Sequence, residues 1–290
     1  MKKITLKIDD KLSGKKIKYL LANHLNMSAS LIKKLKNHEN GILLNSKKVF
    51  VIEVVSAGDV LELNIIDDNS ENIPPVEMKL DILYEDDDII AINKPASVPT
   101  HPSLNHHCDT LANGVMYYFK DTDFTFRVIT RLDKDTSGVV LIAKNQYSAQ
   151  ILGRDMKNHL IKKHYVAAIN GTLLPEKGII NVPIARKDGS AILRCVSASG
   201  KEAISEYTVV YSLNGISYVS LIPHTGRTHQ LRVHMSYMST PIFGDDMYGA
   251  PQLNERTRLH CESVTFAHPI SKKELVIKAP VPNDIIDLFK

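Results

Sequence analysis

Along residues 13–25 (SGKKIKYLLANHL) the apolar side chains fall at Ile17, Leu20, Leu21 and Leu25, the spacing of one helix face. A second run of the same period, 29–38 (ASLIKKLKNH), follows Ser28. A serine there can accept a bond from a first-turn amide, so Ser28 is the expected N-cap. Lys33, Lys34 and Lys36 occupy polar positions of this short helix. After Gly41 the period changes. ILLN, VFVIEVV and VLELNII are short apolar runs broken by turn residues, and they predict strands. The stretch IDDNSENIPP (66–75) is polar, holds paired prolines and has no apolar period, so it reads as a linker. The expected division is a small unit over 1–66, a linker over 67–75 and a larger domain over 76–290.

In the larger domain DIIAINKP (88–95) predicts a strand running into a loop, and LANGVMYYF (111–119) a helix. FRVIT (126–130) and VVLIAK (139–144) predict strands on either side of a tight turn. YVAAING (165–171), EAISEYTVVYS (202–212) and SYVSLIP (217–223) predict further strands, and QLRVHMSYM (230–238) a helix. There is no regular βαβ repeat. The expected fold class is α+β with a mostly antiparallel sheet.

Composition narrows the picture little. A length of 290 residues with 43% hydrophobic and 23% charged residues suits an ordinary globular protein. VVLIA (139–143) is among the longest aliphatic runs, far short of a bilayer, and no apolar segment follows the opening lysines. The 3 cysteines, Cys108, Cys195 and Cys261, are scattered, which argues for reduced thiols and a cytoplasmic protein. Charge is more telling in its distribution than in its net value of +4. Residues 1–66 carry 12 lysines against 6 acids, and residues 67–88 carry 9 acids against 1 lysine. Two basic blocks thus flank an acidic one, and basic blocks suit a polyanionic partner.

The segment RLDKDTSG (131–138) lies between two apolar strands, where a loop can present side chains from a rigid scaffold. An EF-hand loop is excluded, because its twelfth position would be Lys144 and not a bidentate glutamate. An aspartyl phosphotransferase would pair Asp133 and Asp135 with further acids downstream, and no convincing partner follows. A lone catalytic carboxylate without metal remains, beside the plainer reading of a charged turn held by an Arg–Asp pair. From these eight residues alone the plainer reading is preferred. HTGRTHQLRVHM (224–235) adds Arg227 and Arg232, either of which would favour the anion of a buried aspartate. His224, His229 and His234 are five apart, which does not suit a zinc site on a helix face. His101, His106, His107 and Cys108 crowd one loop without a second ligand pair, so no metal is expected there either.

Taken together, several segments resemble the large-subunit ribosomal RNA pseudouridine synthase family, the RluA/RluD branch. They are INKPASVPTHP (92–102), RLDKDTSGVVLIAKN (131–145), KKHYVAAINGT (162–172), PHTGRTHQLRVHMSYMSTPIFGDDMYG (223–249) and RLHCESVTFAHP (258–269). Five motifs in order, across 76–290, are far more specific than one. The leading unit resembles the α-L type RNA-binding domain through SASLIKKL, GILLNSKKV and AGDVLEL, although its second helix carries lysine where arginine is more usual. The resemblance implies an isomerase that converts uridine to pseudouridine in RNA, with ribosomal RNA the expected partner and transfer RNA the alternative. It implies Asp133, Tyr165 and Arg232 as catalytic residues. Arg131, Arg227, Lys94, Lys33, Lys34 and Lys36 would contact RNA. Neither metal nor cofactor is implied, since the reaction adds and removes no atoms. A monomer is the default. One departure stands out: Thr130 replaces the histidine that commonly precedes the Arg-Leu-Asp triplet. Two rival functions are an RNA-binding scaffold without activity and a metal-dependent phosphohydrolase on Asp133 and Asp135.

Overall fold

In KKITLK the apolar residues alternate with polar ones, and this stretch forms an edge strand beyond those expected from the apolar runs. This is β1 (Lys2–Lys7) of the computed structural model, which describes residues 2–65, 73–250 and 255–290. β1 pairs antiparallel with β4 (Val60–Ile65) in a four-stranded sheet of order β1-β4-β2-β3, with β2 (Ile42–Leu44) and β3 (Lys47–Lys48). Helix α1 (Ile17–Tyr19) continues as one π turn over Leu20–His24. It starts later than its apolar spacing suggests, because 11–14 form a turn and Lys16 is held extended as a bridge to Val54, beside the Val55 N–H to Lys15 carbonyl bond. The same contact accounts for VFVIEVV. That run is irregular, with a turn at Val51–Ile52 and a single bridge at Val54, and it bonds the start of α1 instead of forming a regular strand. Helix α2 (Ala29–Asn37) starts where expected, and the Ser28 hydroxyl accepts the Leu31 N–H at 3.2 Å.

The second sheet has ten strands, in the order β10-β13-β14-β9-β15-β8-β6-β5, with β16 beside β15 and β7 beside β8. Its strands in chain order begin with β5 (Ile82–Glu85), β6 (Ile89–Lys94), β7 (Arg127–Val128) and β8 (Ser137–Ala143). Next come β9 (Lys162–Asn170) and β10 (Lys177–Asn181), followed by the separate hairpin β11 (Ile184–Arg186) and β12 (Arg194–Val196). The last are β13 (Ile204–Leu213), β14 (Ile216–Pro223), β15 (Leu259–Ala267) and β16 (Glu274–Lys278). Every pairing is antiparallel except β15 with β8. The fold class is therefore α+β with a mixed, mostly antiparallel sheet. β8 is buried along its whole length, as an apolar run in mid-sheet should be.

Helices α3 (Leu111–Tyr118), α4 (Gln146–Lys157) and α5 (Gln230–Tyr237) accompany this sheet. α4 is also an element beyond those expected from the apolar spacing. It joins two cores: Leu152 belongs to the large cluster, whereas Tyr147 and Ile151 pack with Leu20, Leu31 and Leu61 of the N-terminal unit. Polar bonds fix the same junction. Gln150 Oε1 accepts the Ser28 N–H at 2.7 Å, the Tyr147 hydroxyl donates to the Leu25 carbonyl at 2.9 Å, and Lys2 pairs with Asp88 at 2.9 Å. Most of the expected linker, residues 67–72, lies outside the described residues. Among the described residues no helix is long and apolar enough to cross a membrane.

Candidate active site

Between β7 and β8 the chain must turn sharply and enter mid-sheet. Asp133 sits on that turn, which the Thr136 N–H closes onto the Asp133 carbonyl at 3.2 Å. Gly138 follows with φ +114°, and a Cβ there would stand 2.2 Å from the Cys261 carbonyl oxygen. Only glycine lets β8 begin this close to β15. The turn is also held from beneath. The Thr100 hydroxyl donates to the Leu132 carbonyl at 2.7 Å, and the Ser137 hydroxyl bonds His260 Nδ1 at 2.9 Å. Burial pulls His260 down to about 4, so its ring is neutral at ordinary pH. Thr130 is buried, and its hydroxyl accepts the Leu141 N–H at 2.8 Å. The threonine in place of histidine thus contributes a strand-to-loop bond.

Lys94 is corrected by its surroundings. It is fully buried, and its ammonium donates to the carbonyls of Pro95 and Val98 at 2.7 Å and of Lys134 at 2.9 Å. An ammonium has three donors, and here all three are used. None is left for a phosphate. Lys94 instead ties the start of the INKP loop to the turn that carries Asp133.

Arg232 projects from α5 with its side chain only 5% exposed. Its Nε and Nη2 both donate to Asp245, each at 2.7 Å, in the two-pronged geometry that fixes a guanidinium plane. The remaining edge faces Asp133, with Nη1 at 3.9 Å from Oδ2. The two expected partners therefore meet, but as an ion pair without a hydrogen bond, and Asp245 does the holding. Asp245 follows Gly244, at φ +74°, where a Cβ would strike the Arg256 carbonyl at 2.3 Å. The Arg232 guanidinium also lies 5.1 Å from the centre of the Tyr248 ring.

The Tyr248 oxygen accepts the Arg194 N–H at 3.0 Å and lies 2.7 Å from His229 Nδ1. Its own proton is best spent on Nδ1, which leaves His229 neutral with the hydrogen on Nε2. Burial lowers the His229 pKa, in agreement. Tyr165, on β9, is 6% exposed. Burial pushes its phenol well above 10, and the neighbouring Cys261 and Asp133 add to the shift. It is therefore a protonated hydroxyl at neutral pH. Cys261 is itself pushed up to about 12 by burial and stays a thiol.

Asp133, Tyr165 and Arg232 line one cleft of about 820 Å³, a volume that accommodates a nucleotide. Arg131 and Arg227 line it too, and Arg227 Nε donates to the Glu202 carbonyl at 2.8 Å. Lys33, Lys34 and Lys36 do not reach the cleft. Lys33 and Lys36 are exposed on α2, while Lys34 donates to Gln146 Oε1 at 3.1 Å. Sequence reasoning misses Asp245, Tyr248 and Lys163. Asp245 and Tyr248 sit inside the quoted PIFGDDMYG, and the glycine before the acids was the available signal. Among the described residues the one group with metal-ligand spacing is Asp86, Asp88 and His268. Its carboxylates are already engaged by Lys2, Asn145, Tyr84 and His268 itself, and it lies away from the cleft lining.

This scaffold and cleft define an RNA-modifying isomerase, and comparison with known proteins agrees. The RNA pseudouridylate synthase family profile matches residues 88–237. The uncharacterized RNA pseudouridine synthase YjbO of Bacillus subtilis (strain 168) is 35% identical over 273 residues, 93% of this chain and 96% of the relative. The ribosomal large subunit pseudouridine synthase D of Blochmanniella floridana is 31% identical over 302 residues, 96% of this chain and 94% of the relative. Among solved structures, human RNA Pseudouridylate Synthase Domain Containing 1 superposes with a TM-score of 0.58 at 28% identity, covering 70% of this chain and 83% of that one. The chain belongs to the RNA pseudouridine synthase family, RluA/RluD type, and is an isomerase that converts uridine to pseudouridine in RNA.

Proposed function

We propose that Asp133 is the catalytic carboxylate of this isomerase and that it acts on a uridine flipped into the cleft. The observation that carries the reading is one geometry: Asp133 stands 3.9 Å from an Arg232 that Asp245 clamps, on the cleft that Tyr165 floors. The N1–C1′ bond of uridine breaks, uracil turns, and C5 bonds C1′. C5 then loses its proton, and N1 ends with one. No atom is gained or lost, so no cofactor enters the scheme. The sugar–base bond is out of reach while the base is stacked, which requires flipping. Asp133 acts as an anion, by adding to C1′ or by taking a ribose proton. Tyr165 lies against the uracil, its protonated hydroxyl available to the last proton transfer. Arg131 fills the space that the flipped base leaves, and Arg227 contacts the strand.

The N-terminal unit, residues 1–66, binds RNA through Lys33, Lys34 and Lys36, and residues 67–75 link it to the catalytic domain, 76–290. Two features support large-subunit ribosomal RNA as the substrate: several relatives bear the name ribosomal large subunit pseudouridine synthase D, and a lysine-rich unit suits structured RNA read by shape and phosphate. The working location is the cytoplasm and the working form a monomer. Tritium release from RNA labelled at uracil C5 tests the scheme, with chelator present and ribosomal and transfer RNA compared. Release by the unmodified protein and a loss of roughly a thousandfold or more in Asp133→Asn is expected for a residue of this kind. Undiminished release by Asp133→Asn would sink the assignment.

A further inference from the structure

Two lysines are sheltered in this domain, and they are opposites. Lys94 spends all three donors on carbonyls. Lys163 spends none. Among the described residues no acceptor and no carboxylate lies within bonding reach of its ammonium. It lines the cleft from β9, on the same strand face as Tyr165, while His164 between them turns away to Glu262 and Ser220. Burial lowers its pKa, and the group acting on it besides burial is the Cys261 thiol, itself neutral. Lys163 is half-buried, and drawing a cation partly out of water without a counter-ion is costly. An anion that arrives in the cleft relieves that cost.

The position selects which anion. The Tyr165 phenol feels Asp133, which marks its end of the strand face as the reaction centre. Two residues along β9 is one strand repeat, about 6.6 Å, and that sets Lys163 aside from Tyr165. Beside the ammonium is Gly226, exposed, where a Cβ would make ordinary contact with Nζ at 3.9 Å and a longer side chain would cover it. The absent side chain leaves open the space directly before the ammonium. We propose that Lys163 is the receptor for a backbone phosphate next to the flipped uridine, with Gly226 keeping the entrance clear. This deepens the reading of the cleft given above and rests on it.

Lys163→Met keeps the length of the side chain and removes the charge. Lys163→Arg keeps the charge, and Lys278→Ala removes an exposed lysine on β16, outside the cleft lining. RNA affinity is measured from low to high salt on an unmodified large-subunit rRNA transcript, together with single-turnover tritium release at saturating RNA. For Lys163→Met, Kd should rise about tenfold and the log Kd–log salt slope should fall by about 1, one phosphate contact. The saturating rate should stay within about threefold, since the contact is made before and during reaction alike. Lys163→Arg should recover the slope, and Lys278→Ala should leave it unchanged. An unchanged slope in Lys163→Met overturns the phosphate assignment. So does an unchanged Kd with a saturating rate down a hundredfold, which would place Lys163 on the base. If the unmodified protein releases no tritium from any RNA, the catalytic reading fails, while the salt slope still decides the Lys163 site.

Discussion

Arg232 and Lys33 carry the same formal charge in opposite surroundings. Arg232 is 5% exposed and gripped along one edge, by two bonds, by a fully buried Asp245. Lys33 stands in solvent on α2, a helix whose order depends on its apolar face and on the Ser28 cap, not on its lysines. The cleft thus fixes its cation in place before substrate arrives. The N-terminal unit leaves two of its three, Lys33 and Lys36, exposed to solvent. Chemistry gains from a group that need not reorganise at the moment of reaction. Phosphate binding gains from charge alone and tolerates loose geometry. A buried, clamped cation should therefore respond to loss of its clamp, and an exposed one only to loss of its charge.

The sharpest way to break that contrast is Asp245→Asn, which keeps the shape and removes the charge that holds Arg232. The guanidinium would lose its two-pronged partner and drift from its 3.9 Å position by Asp133. A misplacement on the order of 1 Å costs about a hundredfold in rate, and that fall in single-turnover rate is expected here with RNA affinity little changed. Stability should drop as well, by about 3 kcal/mol, because a buried cation loses its partner. Denaturant unfolding reads the second effect. A variant with full activity would mean that Arg232 needs no clamp.

The opposite result is expected on α2. Changing Lys33, Lys34 and Lys36 together to Ala removes charge from a largely exposed helix and should leave folding stability nearly unaltered. KM for RNA should rise about tenfold, and the salt dependence should weaken by roughly two to three contacts. The saturating rate should hold within about twofold. A fall in saturating rate without a change in KM would show that α2 acts on the reaction centre, and the contrast between the two regions would collapse.

How much of this was legible beforehand follows the same division. The Asp133 turn was readable because its polar residues interrupt two apolar strands, and α2 because Ser28 and an apolar stripe announce it. The clamp on Arg232 was not. Asp245 is thirteen positions from Arg232 along the chain, and the bond exists only once Gly244 turns the backbone against Arg256. Lys94 looks like any basic loop residue until three carbonyls are seen to consume it. Tyr165 reaches Asp133 through the register of β9 with β15, which no local pattern encodes. α4 escaped notice for a related reason. Its apolar positions serve two cores, Tyr147 and Ile151 one and Leu152 the other, so they form no single stripe.

That double-faced helix supplies the finest test. Gln150 grips the N-terminal unit with both ends of its amide, accepting from the Ser28 N–H and donating to the Asn26 carbonyl, each at 2.7 Å. Gln150→Ala removes both bonds, while the Ser28 hydroxyl still caps α2 and the Tyr147–Leu25 bond still spans the junction. A neutral bond contributes about 1 kcal/mol, and this side chain is half open to water, so the unit should loosen without detaching. If the α2 lysines work from a fixed position relative to the cleft, RNA affinity should fall about twofold to fivefold, through the freedom that binding must then remove. If they work as a tethered patch of charge, affinity should not change at all. Direct titration of RNA against Gln150→Ala and the unmodified protein at one salt concentration separates the two. A change would give the N-terminal unit a share of the preorganisation found in the cleft, and no change would leave it a mobile collector of phosphates.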